Sequence, residues 1–162
     1  MRNVTREANT PQPASRYAFV LATLTALFGC RVIAQALQRW SPVSWLPAFD
    51  AFQGSDLSYG VLLASQLVLL ALMVGVTVRV AAKAQSANAF AARVLAWVGG
   101  LYMGGSLARI VLGLTLEDAP RWFTAWISAV FHLVLAAFVL TLAAYYNAPR
   151  APSVPVNEET VA

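Results

Sequence analysis

Four long apolar segments alternate with shorter polar stretches along the chain. They run over residues 17–37, 59–80, 94–114 and 122–145. Each is close to the roughly twenty residues that a helix needs to cross the hydrocarbon core of a bilayer. The first could instead be a cleaved signal peptide, but its apolar run is too long and no A-x-A-like cleavage site follows it. The pattern predicts an all-α fold, an integral membrane four-helix bundle with antiparallel, up-down topology.

The polar stretches differ from one another in composition. Residues 1–16 and 147–162 combine prolines with polar residues and hold no long apolar run, which predicts two disordered tails. Residues 39–58 instead place aromatic side chains between prolines, and such side chains prefer the level of the lipid headgroups. This loop is therefore expected to lie on or dip into the outer membrane interface, as a short helix or cap. Its aromatic contacts are predicted to be Trp40, Trp45, Phe49 and Phe52.

Basic residues fall mainly on one side of the predicted membrane. Loops that stay in the cytoplasm are enriched in lysine and arginine. The two tails and the second loop with its flanks carry Arg2, Arg6, Arg16, Arg79, Lys83, Arg93 and Arg150. The other two loops carry only Arg39 and Arg121, beside the acids Asp50, Asp56, Glu117 and Asp118. We therefore predict a multi-pass protein of the cell inner membrane with both termini in the cytoplasm.

Composition narrows the functional classes. Hydrophobic residues make up 59% of the 162 residues and charged residues 11%, and the mean hydropathy is +0.65, which is typical of a membrane protein. A single cysteine excludes a disulfide framework and a thiolate zinc site, and a single histidine excludes bis-histidine haem. The net charge of +4 is expected to orient the chain and attract anionic membrane lipids. Nucleic acid is not an expected partner, because the basic residues form no stripe with interleaved aromatics.

Familiar catalytic and transport motifs are missing from the sequence. It contains no Walker loop, GxGxxG, GxSxG or HExxH motif. No aspartate or glutamate falls within any predicted span. Because ion-coupled carriers commonly use intramembrane carboxylates, this absence disfavours a proton- or sodium-coupled carrier of that type.

Five polar residues inside the spans are the candidate ligand-binding residues: Arg31, Gln35, Gln66, Arg109 and His132. Polar side chains in the bilayer are costly, so each needs a partner, a water-filled cavity or a function. Counting 1.5 Å per residue from the predicted outer ends places all five at a depth of about 5–17 Å. In an antiparallel bundle they would converge on one polar pocket in the outer half of the membrane.

Both intramembrane arginines also have a structural interpretation. Arg109 lies near the outer end of its span, so its side chain can extend to the headgroups or pair with the acids at 117–118. Arg31 lies deeper and can pair with Asp50 or Asp56 if the outer loop folds towards it. In either case the arginine would stabilise the fold without contacting a ligand.

The other polar or small residues of the spans have alternatives as well. Gln35 and Gln66 can form hydrogen bonds between helices. His132 can be a satisfied buried histidine, a hydrogen-bonding or proton-relay group of the pocket, or a single axial ligand for a haem or chlorin. Gly100 and Gly104 form a GxxxG pattern, which favours packing within the bundle over a seam between two copies.

Several of these features occur together in a known group of proteins. An arginine precedes a glutamine by four residues in the first span, the outer loop carries Trp and Pro, and a Ser-Gln pair opens the second span. The residues are Arg31, Gln35, Trp45, Pro47, Ser65 and Gln66. Over residues 20–140 the sequence resembles a family of small bacterial four-helix integral membrane proteins without an assigned function, and more loosely the DoxX-like membrane bundles. The resemblance implies the fold and carries over no activity.

Two functions fit these observations. The first is a non-enzymatic accessory subunit or scaffold, with other membrane protein subunits as partners and a polar layer that serves packing. The second is a binding protein that holds a lipid headgroup or a quinone, because Arg and Gln donors suit phosphate and carbonyl oxygens. An enzyme with His132 as general base would lack an accompanying nucleophile or metal. We therefore predict no enzymatic activity, no metal and no cofactor other than such a bound lipid or quinone.

Overall fold

The computed structural model of the chain describes residues 13–53, 57–82, 88–116 and 121–148, with the side chains of Pro13 and Arg121 left aside. Within these ranges all regular structure is helical. The helices are α1 (Pro13–Trp40), α2 (Phe49–Phe52), α3 (Tyr59–Ala81), α4 (Ala89–Thr115), α5 (Arg121–Thr124) and α6 (Trp126–Asn147). The four long helices are each long and apolar enough to cross a membrane. The prediction of an all-α fold with four helices that are able to span a membrane is confirmed.

The order of helix contacts leaves one pair of long helices apart. α1 packs against both α3 and α6, and α4 packs most extensively against α6. Among the described helices, α3 and α4 have no extensive contact with each other. The long helices therefore follow one another in the order α3, α1, α6, α4, with a seam between the first and the last.

An apolar core joins α1, α3 and α6. Its buried residues are Leu21, Phe28, Val32, Met73, Val80, Phe138 and Leu142. In a lipid environment such side chains stabilise the bundle by close packing, because lipid tails are as apolar as they are. The core holds α1 between α3 and α6.

The contact between α4 and α6 depends on a small residue. Gly99 is buried, and a Cβ at this position would lie 2.9 Å from Cγ of Leu140, so only glycine fits without a shift. Gly100 and Gly104, by contrast, are exposed, and a Cβ on either would meet nothing within 4 Å. The prediction that the GxxxG pair packs within the bundle is therefore wrong. The neighbouring glycine performs that role.

Two helices begin earlier than the hydropathy pattern predicts. α1 starts at Pro13, so residues 13–16 of the predicted tail are helical, and proline is well suited to a first helical turn because it needs no amide partner there. α4 starts at Ala89 because the Asn88 side chain accepts a hydrogen bond from the Ala91 amide. Residues 1–12 and 149–162, which make up most of the two predicted tails, lie outside the described residues.

The fourth predicted span is broken near its start. Ala125 has φ −74° and ψ 67°, outside the helical region, and separates α5 from α6. The hydrophobic run over 122–145 continues through this break, so hydropathy alone could not locate it. The break leaves backbone carbonyl groups of α5, near the end of α4, without a helical hydrogen-bond partner.

Candidate ligand-binding site

A cavity of about 260 Å³ lies beside the polar residues of the spans. Its lining combines Phe28, Arg31, Phe52, Leu57, Leu62, Ser65, Gln66, Leu69, Tyr102, Arg109, Trp122, Ser128, Phe131, His132 and Leu135. Four of the five predicted site residues are among them. Gln35 is completely buried and hydrogen-bonds to two of them. The structure brings all five together, and that they bind a ligand stays a prediction.

Arg31 is fixed by three contacts. Its side chain is 6% exposed, Nη1 donates to Oε1 of Gln35 at 3.3 Å, and Nη2 donates to the Phe52 carbonyl at 3.1 Å. Its guanidinium carbon lies 5.4 Å from the centroid of the Phe131 ring, within the range of a cation–π contact. The loop thus offers Arg31 a backbone carbonyl, and Asp56, one of its two predicted acid partners, lies outside the described residues. The buried Nε has no hydrogen-bond partner in the described ranges.

Gln35 links Arg31 to Gln66. Its Oε1 accepts from Arg31 and, at 3.1 Å, from Nε2 of Gln66, which joins α1 to α3. The predicted interhelical hydrogen bond of the two glutamines is confirmed. Nε2 of Gln35 and Oε1 of Gln66 are buried, and neither has a hydrogen-bond partner among the residues described. Such groups are rare in proteins and usually have a reason. The two glutamine amides therefore offer one unused donor group and one unused acceptor oxygen.

Arg109 reaches the cavity from α4. Its Nε donates to the Trp122 carbonyl at 2.7 Å, and its guanidinium carbon lies 4.3 Å from the centroid of the Trp122 ring. In a continuous helix that carbonyl would accept from the amide four residues later, so the break at Ala125 leaves it free for the arginine. Nη2 is buried and has no hydrogen-bond partner in the part of the chain that the structure describes.

The surroundings of Arg109 correct one expectation. Its side chain is 4% exposed and packs against α5, so the prediction that it extends to the headgroups is wrong. The physical reason is the short helix α5, whose carbonyl and aromatic ring offer a partner inside the protein. The acids at 117–118, its other predicted partners, lie outside the described residues.

His132 stands on α6 with one ring nitrogen already engaged. Nδ1 hydrogen-bonds to the Ser128 carbonyl one turn earlier, and the ring meets Tyr102 edge-on with centroids 5.7 Å apart. Because a carbonyl only accepts, Nδ1 carries the hydrogen and Nε2 of the neutral ring is left as an acceptor. Among the described residues, no cluster of three or more histidine, cysteine or acidic side chains could hold a metal ion.

The aromatic loop divides into exposed and buried residues. Trp40 and Trp45 are 69% and 75% exposed, and their position at the headgroup level stays a prediction. Phe49 is half-buried against Tyr59, with ring centroids 5.3 Å apart. Phe52 stays a predicted residue of the interfacial loop, but its ring is 4% exposed and lines the cavity. Helix α2 turns this ring towards α6 and at the same time brings its carbonyl to Arg31.

Gln38 positions the loop and was not predicted as part of the site. Its Nε2 lies 2.9, 2.9 and 2.8 Å from the carbonyl oxygens of Val43, Leu46 and Pro47, and its Oε1 accepts from the Val43 amide. One side chain at the end of α1 therefore closes the turn that leads into α2. The only sequence signal is its spacing, one turn beyond Gln35 on the same helix.

The charges around the cavity are unbalanced. Arg31 and Arg109 both line it, whereas no aspartate or glutamate occurs among its described lining residues. The helices that form it contain no acid in their membrane-spanning parts. Guanidinium groups keep their charge, and buried charges are usually paired. The cavity therefore suits a group that carries anionic or carbonyl oxygens.

Comparison with known proteins identifies no relative of this chain. No protein-family model, curated protein or solved structure matches the chain. The geometry and charge of the cavity are therefore the basis for assigning a function.

Proposed function

We propose that the protein is a non-enzymatic membrane protein that binds an amphiphile, a lipid or a quinone-like molecule, through headgroup oxygens. The observation that carries this proposal is the pair of buried arginines, Arg31 and Arg109, which line one cavity from different helices, with no aspartate or glutamate among its described lining residues. Each retains a buried guanidinium nitrogen that has no hydrogen-bond partner among the described residues. Guanidinium donors favour phosphate, carboxylate and carbonyl oxygens, and bonds to charged oxygens are the strongest.

The neutral polar groups of the cavity support the same ligand class. Gln66 adds a buried amide oxygen without a partner, and His132 adds an acceptor nitrogen. A headgroup that has hydroxyl groups as well as anionic or carbonyl oxygens would use both kinds of protein group. Phe28, Phe52 and Leu135 provide apolar surface beside them. Ligand pockets commonly combine a few placed polar groups with an apolar lining in this way.

An accessory subunit or scaffold is the second candidate function, and Gln35 is the observation that favours it. Gln35 is 0% exposed and accepts hydrogen bonds from both Arg31 and Gln66. In this alternative the polar groups hold α1 and α3 in position, and the partners of the protein are other membrane subunits. It differs from ligand binding in one respect, because it gives the unpartnered nitrogens of the arginines no role.

Co-purification separates the two candidates. Wild-type protein, Arg109→Gln and the matched control Arg79→Gln would be purified identically and their bound lipids and quinones quantified by mass spectrometry. Arg79 is exposed near the end of α3 and does not line the cavity. We expect a defined ligand with wild type and Arg79→Gln and at least a tenfold lower amount with Arg109→Gln, with unfolding temperature retained. Equal amounts in all three proteins, or no defined ligand in wild type, would contradict the binding proposal.

The orientation of the spans is a separate part of the proposal. The basic residues of the tails and second loop support an inner-membrane protein with antiparallel spans and both termini in the cytoplasm. In a Cys30→Ala background, a Lys83→Cys variant would be treated with a membrane-impermeant thiol reagent. We expect no labelling from outside intact cells and labelling after permeabilisation. Labelling of intact cells would reverse the orientation.

A further inference from the structure

A second, strongly apolar space lies between α3 and α4. It has a volume of about 740 Å³ and is a groove rather than an enclosed cavity. α3 contributes Leu72 and Val76 to its lining, α4 contributes Val98 and Leu101, and α6 contributes Phe138. This groove follows the seam where the two long helices lack extensive contact. Its volume is in the range of established ligand pockets.

The groove and the polar cavity share part of their lining. Leu69, Tyr102 and Leu135 line both spaces, one from each of α3, α4 and α6. On α3 the groove runs from Leu69 to Val76, which is about 10 Å along the helix at 1.5 Å per residue. A single molecule can therefore have a polar group in the cavity and an apolar chain in the groove.

The side chains that form the walls of the groove are exposed on the outer surface of the bundle. Leu72 is 60% exposed and Leu101 is 71% exposed, so hydrocarbon can contact them from the surrounding membrane. The cavity end has the opposite character, because Arg31 and Arg109 are 6% and 4% exposed. The transition from an apolar, membrane-facing groove to a buried cationic cavity matches the two ends of an amphiphile.

We propose that the groove holds the hydrocarbon chain of a single-chain anionic amphiphile whose carboxylate or phosphate head lies between Arg31 and Arg109. This inference rests on the proposed function and narrows its ligand. An anionic head is favoured over a neutral carbonyl because the cavity lining holds two guanidinium groups and no described acid. One chain is favoured because the groove is bounded by α3 and α4 along their seam and shares Leu69, Tyr102 and Leu135 with this cavity.

Photo-crosslinking tests where the chain lies. The probe is palmitate with a diazirine in mid-chain, added to the full-length protein in phosphatidylcholine nanodiscs, and crosslinked residues are located by peptide mass spectrometry. We expect crosslinks concentrated at Leu72, Val98 and Leu101. Palmitate or hexadecyl phosphate should displace the probe at concentrations at least tenfold below those needed for hexadecanol. The more effective of the two anions identifies the head as carboxylate or phosphate, whereas equal competition by hexadecanol would overturn the anionic assignment.

A matched pair of tryptophan substitutions tests the groove itself. Val98→Trp fills the groove, whereas Val111→Trp changes a similarly exposed valine of α4 that does not line it; their exposures are 53% and 57%. We expect Val98→Trp to reduce crosslinking at least tenfold and Val111→Trp to leave it unchanged. Equal crosslinking in both variants, or crosslinks spread over the whole membrane-facing surface, would overturn the inference.

The two levels of the proposal fail differently. If Arg109→Gln removes the co-purifying ligand while Val98→Trp changes nothing, the groove assignment is wrong and the binding function stands. If neither substitution affects co-purification or crosslinking, both proposals are wrong. Unfolding temperatures of the variants show whether any loss reflects misfolding, and Arg109→Lys, which keeps the charge, should then retain measurable binding.

Discussion

Helix α4 has one side that closes against a neighbour and another side that stays open. Towards α6 it presents Gly99, which is buried and allows close approach. Towards α3 it presents Val98 and Leu101, which line a groove. Both sides are apolar, so apolarity alone does not decide whether two of these helices come together.

The difference shows what closes a helix contact in a membrane. Lipid tails solvate leucine and valine as well as another helix does, so large apolar side chains supply little net drive for association. Small residues let the helices approach until many atoms touch. The α4–α6 side meets this condition and the α3–α4 side does not. An open apolar seam beside a buried cationic cavity is the arrangement that an amphiphile can fill.

The largest loss is expected from Gly113→Ala, at the close contact between α4 and α5. A Cβ at this position would collide with the carbonyl oxygen of Phe123, and backbone cannot move aside as a side-chain end can. The change should displace α5, weaken the bond between Arg109 and the Trp122 carbonyl, and cost about 3 kcal/mol, the upper end of typical overpacking losses. Thermal unfolding in detergent measures it. Gly104→Ala, which meets nothing within 4 Å, is the control, and equal midpoints would refute the expected contact.

The next largest effect is expected beside the polar cavity, where hydrogen bonds hold the helices. Gln35→Ala removes the acceptor shared by Arg31 and Gln66 and leaves two more buried donors without partners. An unsatisfied buried group costs about 1–3 kcal/mol, so we expect a loss of roughly 2 kcal/mol in the free energy of unfolding. Ser65→Ala serves as control, because its exposed hydroxyl bonds to its own helix. If both variants were equally stable, the polar chain would contribute nothing to the fold.

A smaller effect should separate two adjacent glycines of α4. Gly99→Ala pushes a methyl group against Leu140, whereas Gly100→Ala places it in open space. We expect Gly99→Ala to cost about 1 kcal/mol, since Leu140 can adjust in part. Gly100→Ala should be neutral or slightly stabilising, because alanine is the better helix former. Unfolding midpoints measured side by side give the difference, and the reverse order would contradict the packing described for α4 and α6.

The smallest effect is expected in the open seam. Leu101→Ala changes a side chain that is 71% exposed, so the free energy of unfolding should stay within about 0.5 kcal/mol of wild type. A loss above 2 kcal/mol would mean that Leu101 is packed in the native membrane, and the seam would then be closed. The same variant also tests binding, because we expect crosslinking of the photoreactive palmitate to fall while the free energy of unfolding stays unchanged.

The four spans could be predicted because they depend on composition over long stretches. The ends of the helices depend on single groups: Asn88 caps α4, and Ala125 interrupts the fourth apolar run. Neither changes the mean hydropathy enough to be visible in the pattern. The same limitation explains the glycines, where Gly99 packs and the GxxxG pair does not.

The candidate site was predictable in its membership and less so in its contacts. Counting residues from the predicted span ends grouped Arg31, Gln66, Arg109 and His132 at one depth, and all four line the cavity. Their partners come mostly from backbone carbonyls, such as that of Trp122, and no residue type marks these in advance. Aromatic composition likewise suggested a membrane-facing loop without showing which ring turns inwards.

A native mass spectrum of the protein released from its own membrane tests the central claim most directly. Wild type is compared with the double variant Arg31→Gln/Arg109→Gln and with the exposed pair Arg39→Gln/Arg79→Gln. We predict one bound anionic amphiphile per chain in wild type and in the exposed pair, and bare protein in the folded cavity variant. Bare wild-type protein, or the same adducts in all three, would contradict an amphiphile held by the two buried arginines.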